Sequence, residues 1–488
     1  MKTSVPPNPS HSRFATCVAS LVTILLASTS AAMFIGPTLA PIDRVVRNLE
    51  AYVTEFPADA EGYFLLGRAH YLAWSTRSRS IPSRPDDLRG AVEFYPDTSV
   101  DWSRKCSHDE RSLRRTEALA RAKAEVGLDL YEMPGTNDAV RALRARMSEI
   151  DHQLEASGWT PAQPTAKELD QHAKAGVLAL RRATQLNGGA ESPPRRASLH
   201  HHTLASLLEE YAERAGISGL GVDGERTALG SMENTDAWLR EALGEYEQAF
   251  ELGLPEATRI DCRPIDGLSY LVAYSAILGH ERVAERLSAH QGPDAVDQDV
   301  VGRLEQEKQR LDALPRSNAI TPILIGDRHG SLDRLLEPGR IVSFDLDGDG
   351  VAEDRSWVRP EAGILVWDPS RSGTIASGKQ LFGDRTWWLF FPDGYRALDA
   401  LDDDRDGYLS GDELVGLAVW YDHGSDGLAF AGEVVPIEDT EVRAIAVRPT
   451  SVHRGSPSHP AGILLDDGTQ RPTWDWISSG MARRGPNL

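Results

Sequence analysis

From Ile42 to about Leu314, apolar residues recur at spacings of three and four, as in VVRNLEAYVTEF, AVRALRARMSEIDHQLEA, GVLALRRATQL, TLASLLEEYAERAG, AWLREALGEYEQAFELG and VVGRLEQEKQRLDAL. That spacing gathers apolar side chains on one face of an α-helix, and Gly, Pro and Asn clusters end most of the runs. The pattern predicts a mainly α chain with a helical domain over residues 42–314. A Pro- and Gly-punctuated stretch, 315–340, reads as a linker, after which composition turns to Asp, Gly and Trp. The tail, 441–488, reads IAVRP and then GILLDDGTQRPTWDWI, which is strand, Asp-Gly turn and strand, so a short β-hairpin is expected.

At 488 residues, with 41% hydrophobic and 26% charged side chains, the chain has material for two or three domains. Its formal charge of -21 argues against a nucleic-acid partner, because little basic surface is left to neutralise phosphates. The acid is concentrated: residues 341–440 hold 21 Asp and Glu against 7 Lys and Arg. Cations are the expected clients of such a segment.

The N-terminus carries no charge between Arg13 and Asp43. Lys2 and Arg13 make a positive start, Phe14 to Ser28 an apolar middle, and Ser30-Ala31-Ala32 a small-residue cleavage site, so residues 1–32 read as an export signal. An uncleaved membrane anchor is the alternative, and both put the bulk of the chain outside the cytoplasm: periplasmic, at the cell surface or secreted. Beyond Cys17 there are only Cys106 and Cys262, too few for a disulfide scaffold.

Within the helical region, FPADAEGYFLLGRAHYLAW places Pro57, Tyr63, Leu66, Gly67 and His70 at offsets that resemble a tetratricopeptide repeat. Ala242, Tyr246 and Ala249, followed by Pro255, resemble the second helix of such a unit, and LSYLVAYSAILGHERVAERL another helix pair. The resemblance implies a concave surface for a protein or peptide partner; plainly packed helices of an all-α domain are the alternative. His200, His201 and His202 follow one another on a helix, where they cannot converge on one ion, and read as a solvated helix start.

The string LDDDRDGYLSGDEL fits a twelve-residue calcium loop from Asp402 to Glu413. Asp402, Asp404 and Asp406 stand at positions 1, 3 and 5, and Gly407 allows the sharp turn at 6. Tyr408 offers its carbonyl at 7, Ser410 holds a ligand or its water at 9, and Glu413 closes the shell at 12. Leu409, at position 8, is of the type that turns inward between paired loops. In FDLDGDGVAED, Asp345, Asp347 and Asp349 repeat the spacing, with the carbonyl of Val351 at 7 and Glu353 at 9. In YDHGSDGLAFAGEV, Asp422, Asp426, the carbonyl of Leu428 and Glu433 hold positions 1, 5, 7 and 12, but Gly424 has lost the ligand at 3. Only eight residues, LVGLAVWY, separate Glu413 from Asp422, too few for two helices, so the two loops are expected to stack through one short element.

The stretch GTIASGKQ, Gly373 to Gln380, lies one residue away from a phosphate-binding G-x-x-x-x-G-K-[ST] loop. Gln380 lacks the hydroxyl such a loop gives to magnesium. In the calcium register, Asp368, Ser370, Ser372 and Gly373 occupy positions 1, 3, 5 and 6, with Lys379 at 12, so this reads as a calcium-type loop that has lost its acids. A lysine there acts as a built-in cation.

Taken in order, the four loops resemble the tandem EF-hand-like calcium modules of large exported bacterial proteins. The resemblance covers residues 341–440 and implies bound Ca2+. Trp357, Trp367, Trp387, Trp388 and Trp420, interleaved with the loops, read as the core of that module. No G-x-S-x-G or H-E-x-x-H constellation is present, so the expectation is a non-enzymatic, exported calcium-binding protein whose helices bind a partner. An extracytoplasmic enzyme with its active site among the helices is the alternative.

Overall fold

The computed structural model describes residues 38–76, 80–81, 165–187, 194–217, 232–258, 267–312, 319–326, 331–348, 352–430, 432–453 and 455–479. The signal or anchor segment, all three cysteines, Asp349, Val351 and the side chain of Glu353 lie outside them.

The three-and-four spacing forms α1 (Ile42–Glu55), α2 (Ala60–Thr76), α3 (Ala166–Leu186), α4 (Pro194–Ile217), α5 (Met232–Ala257), α6 (Gly267–Gln291) and α7 (Gln298–Asp312). Each packs on the helix before it. Thr165 starts α3 with a capping box, exchanging hydrogen bonds with Glu168. Gly67 lets α2 and α3 approach closely, since a Cβ there would sit 2.5 Å from Leu180 Cγ. Pro255, expected beyond the helix, lies inside α5, near enough to its end at Ala257 that little of the helix ladder is lost.

The histidine run corrects the expectation of a solvated helix start. His200 and His202 are buried in the middle of α4, facing different neighbours. His200 stacks on Phe64 and bonds Asn187 and Glu61, His201 bonds Glu245, and His202 meets the Tyr246 ring edge-on. Burial pushes His202 down to about 3, so its ring is neutral.

Two short pairs, β1 (Thr38–Leu39) with β2 (Ser80–Ile81) and β3 (Ala319–Ile320) with β15 (Ser478–Ser479), flank the main architecture. Where a linker was expected, the chain forms β3, β4 (Ile323–Ile325), α8 (Leu332–Leu335) and the start of β5 (Leu336–Phe344). β5 pairs with β6 (Glu353–Val358) as a separate hairpin. The C-terminal region is an antiparallel sheet, where only a short tail hairpin was expected. Its order is β10 (Val434–Pro436), β9 (Leu417–Trp420), β7 (Gly363–Trp367), β4, β14 (Gln470–Asp475), β13 (Ser456–Leu465), β11 (Val442–Ala446) and β8 (Tyr408–Ser410), with β12 (Ser451–His453) on β13. β13 and β14 meet at the Asp-Gly turn, where Gly468 takes φ +79 and its N–H reaches Leu465. The short α9 (Gly394–Asp399) precedes the third loop, capped by Asp393.

Directly opposed residues share a sheet face. Ile325, Leu365, Val419 and Ile463 belong to the core that continues through Trp387, Trp388 and Phe391 into the helices. Leu324, Ile364, Val366, Ala418 and Trp420 pack on the other face against Phe344 and Trp357 of the β5–β6 hairpin. Buried arginines reinforce the first junction: Arg68 Nε donates to the Trp388 carbonyl at 3.1 Å and Arg196 to that of Phe390 at 2.7 Å. Helices and sheet therefore fold as one unit.

Candidate metal centre

The loops share a backbone frame. Position 4 is left-handed in all four, at Gly348, Arg371, Arg405 and Ser425, and the glycines at position 6, Gly373, Gly407 and Gly427, also have positive φ. The turn aims successive N–H groups inward at the carboxylate of position 1. Asp402 accepts from the N–H groups of Arg405 (2.7 Å) and Gly407 (2.9 Å), Asp422 from Asp426 (3.2 Å) and Gly427 (2.8 Å), and Asp368 from Ser372 (2.9 Å) and Gly373 (2.8 Å). The side chain at position 5 takes the N–H of position 7 in the same way: Asp406 from Tyr408, Asp426 from Leu428, Ser372 from Thr374.

The third loop is the most complete. Asp402, Asp404 and Glu413 each bring a carboxylate oxygen within 4.8 Å of the others, the one such trio among the described residues. Asp402 and Glu413 are buried. Glu413 folds back across the loop, accepting from the N–H groups of Asp403 at 2.6 Å and Ser410 at 3.0 Å. Burial lifts the Asp402 carboxyl above the usual carboxylate range, and the charges of Glu413 and Asp399 add to it. At the effective dielectric of a protein surface, unit charges 4 Å apart repel by about 4 kcal/mol, a cost that a divalent cation converts into attraction. Asp406 stands outside the trio with its carboxylate turned to Tyr408 N–H, and the side chain of Tyr408 is exposed.

Glu433 repeats the closure in the fourth loop, accepting from His423 at 3.0 Å and Phe430 at 2.9 Å. Asp422 there is fully buried, and its Oδ2 also accepts the indole N–H of Trp357 at 2.6 Å. Burial again raises the carboxyl. In the first loop Asp345 and Asp347 are buried.

Leu409 departs from expectation: it pairs with Ile445 of β11, so the third loop joins the sheet rather than a second loop. The third and fourth loops sit at opposite ends of β9, not stacked on each other.

Several contacting groups carry no local sequence signal. Arg44, Arg47 and Asn48 of α1 converge on the Asp403 carboxylate at 3.0, 2.9 and 2.8 Å. Burial opposes ionisation of Asp403, but these three donors outweigh it and hold the carboxyl below its usual range. Arg44 also donates to the carbonyls of Leu401 and Glu413, and Asn48 to that of Ala400. At the fourth loop, Arg340 of β5 donates to the Ser425 and Gly424 carbonyls.

A family model described as SPM domain matches residues 334–470, from within α8 to the first residue of β14, a span that includes all four loops. The chain is also similar to the Iron-regulated protein FrpA of Neisseria meningitidis serogroup C, 32% identical over 107 residues. That alignment takes in 21% of this chain and 10% of the relative, so the chain spans only about a tenth of that protein's length.

Proposed function

We propose that this is an exported calcium-binding protein in which Ca2+ stabilises the C-terminal sheet from its loops. The observation that carries the reading is the Asp402, Asp404 and Glu413 trio, set on a frame of inward N–H groups. Hard carboxylate and carbonyl oxygens in a flexible loop suit calcium, whereas magnesium prefers a tighter octahedron with retained water. Tyr408 and Leu428 supply the carbonyls of position 7, and Ser410 the water-mediated ligand. The helices act as a scaffold and partner-binding surface. Their buried and half-buried acids are engaged by other side chains: Glu61 by Arg196 and His200, Glu209 by Arg282 and Tyr246, Glu210 by Tyr71, Ser75 and Arg214. Those ties support packing rather than turnover. Among the described residues no helix is long and apolar enough to cross a membrane; export rests on the N-terminal segment.

The test is calorimetric titration of calcium into the chelator-stripped full chain and its Glu413→Gln variant. Loss of one carboxylate oxygen, with its N–H acceptor bond, the negative charge and the bidentate ligand, should remove one equivalent, or weaken it by more than the ten- to hundredfold typical of an outer-shell partner. Identical titrations of the two proteins would overturn the reading.

A further inference from the structure

Lys379 stands at position 12 of the second loop, the place filled by Glu413 and Glu433 in the third and fourth, yet it leaves its own loop. Its side chain is wholly buried. A Cβ on Gly348, in the first loop, would lie 2.8 Å from Lys379 Cγ and 3.4 Å from its Cδ. The ammonium lies 4.7 Å from the centre of the Trp388 ring, whose Nε1 closes on the same point of Gly348. The backbones are joined as well: Gly378 N–H donates to the Asp345 carbonyl at 2.8 Å, and Ser377 bridges Asp345. Gly378 makes the approach possible, because any side chain there would collide with the Leu346 carbonyl oxygen. The Gly-Lys pair that imitates a phosphate loop thus serves a different purpose, and no phosphate can reach a lysine this buried.

In the second loop the acid at position 1 faces two serine hydroxyls in place of further acids. Asp368 accepts from the Ser370 and Ser372 hydroxyls at 3.3 and 2.9 Å and from the N–H groups of Ser372 and Gly373. The first loop, by contrast, buries Asp345 and Asp347, next in sequence to the Gly348 against which the lysine lies. Buried carboxylates need a compensating cation, and a buried ammonium needs anions.

We propose that Lys379 stands in for a cation where the first acidic loop buries Asp345 and Asp347, so that these two acids need no calcium while the third and fourth loops require it. The inference rests on the calcium reading for those two loops but is separable from it. A lysine in place of an ion makes the β5–β6 hairpin indifferent to calcium concentration and chelators.

The experiment compares calcium titrations and chelator-dependent melting of the full chain with Lys379→Met and, separately, Asp347→Asn. Lys379→Met should bind one equivalent more than the parent, with a melting temperature that becomes chelator-sensitive through that added site. Asp347→Asn should leave the parent's number of equivalents unchanged; loss of one would show that the first loop holds calcium and would overturn the proposal. Unchanged binding by a folded Lys379→Met would overturn it too. Should Lys379→Met fail to fold, Asp347→Asn still decides. If the parent binds no calcium while Lys379→Met binds one equivalent, the lysine inference stands and the calcium function proposed for the parent falls.

Discussion

The loops that begin at Asp402 and Asp422 share a frame and differ in what fills it. In both, the first carboxylate collects N–H groups from the turn, the last glutamate folds back to positions 2 and 9, and position 4 is left-handed. The third loop then adds Asp404, while the fourth has Gly424 and takes an indole N–H onto Asp422 instead. Each is also held from a different quarter, the third by α1 through Arg44 and Asn48, the fourth by β5 through Arg340. On the calcium reading, the shared frame makes both loops sites, and the charge at position 3 and the freedom of position 1 set the third above the fourth in affinity.

The largest effect is expected from removing the clamp on one loop only. Replacing both Arg44 and Asn48 with Ala deletes hydrogen bonds to Asp403 and to the Leu401, Ala400 and Glu413 carbonyls. At about 1 kcal/mol net per bond, with discounts for shared partners and exposure, denaturant unfolding should show a loss of about 2–3 kcal/mol. Calorimetry should show the third loop weakened and the fourth untouched. Equal weakening of both would mean that α1 supports the sheet as a whole and that the two loops are not separately held.

The clamp also marks where the sequence stops being legible. The helical period and the third loop's acids are local patterns, read within a dozen residues: apart from β2 and short connections, the described parts of 42–312 are helices α1 to α7, and three of the loop's acids, Asp402, Asp404 and Glu413, come together. Asp403, by contrast, is gripped by residues some 350 positions earlier, a relation no local spacing encodes. The left-handed position 4 is visible in Gly348 but not in Arg371, Arg405 or Ser425, whose N–H groups are tied back to position 1 of their own loops in a conformation such residues do not favour. The sheet was underestimated because its strands are short: β4 and β8 are three residues each and become strands only by joining neighbours distant in sequence.

A middle-sized effect should come from giving the fourth loop the acid it lacks. Gly424 is not among the left-handed positions, so Gly424→Asp asks nothing unusual of the backbone. A Cβ there would stand 3.1 Å from Asp426 Oδ2, which crowds two carboxylates in the absence of an ion. The variant should therefore melt lower in chelator and bind calcium at the fourth loop about tenfold more tightly, since a third acid both adds a ligand and raises the cost of leaving the site empty. Tighter binding without the chelator penalty would mean that the new side chain points elsewhere.

The smallest effect on calcium affinity, and the most diagnostic, concerns Trp357. Its indole N–H and the Gly427 N–H together occupy Asp422 Oδ2, leaving Oδ1 with the Asp426 N–H at 3.2 Å as the freer oxygen. Trp357→Phe keeps an aromatic ring against Phe344 and Trp420 but deletes the donor. A hydrogen bond to a buried carboxylate contributes about 1.5–3 kcal/mol, so the calcium-free protein should lose about that much stability, plus a packing term for the smaller ring. Calcium competes with the indole for the same carboxylate, so its affinity at the fourth loop should rise about threefold once the competitor is gone. A fall in affinity would reverse that relation: the indole would then be a support that orients Asp422 toward the ion, and the fourth loop would differ from the third only by the missing acid at Gly424.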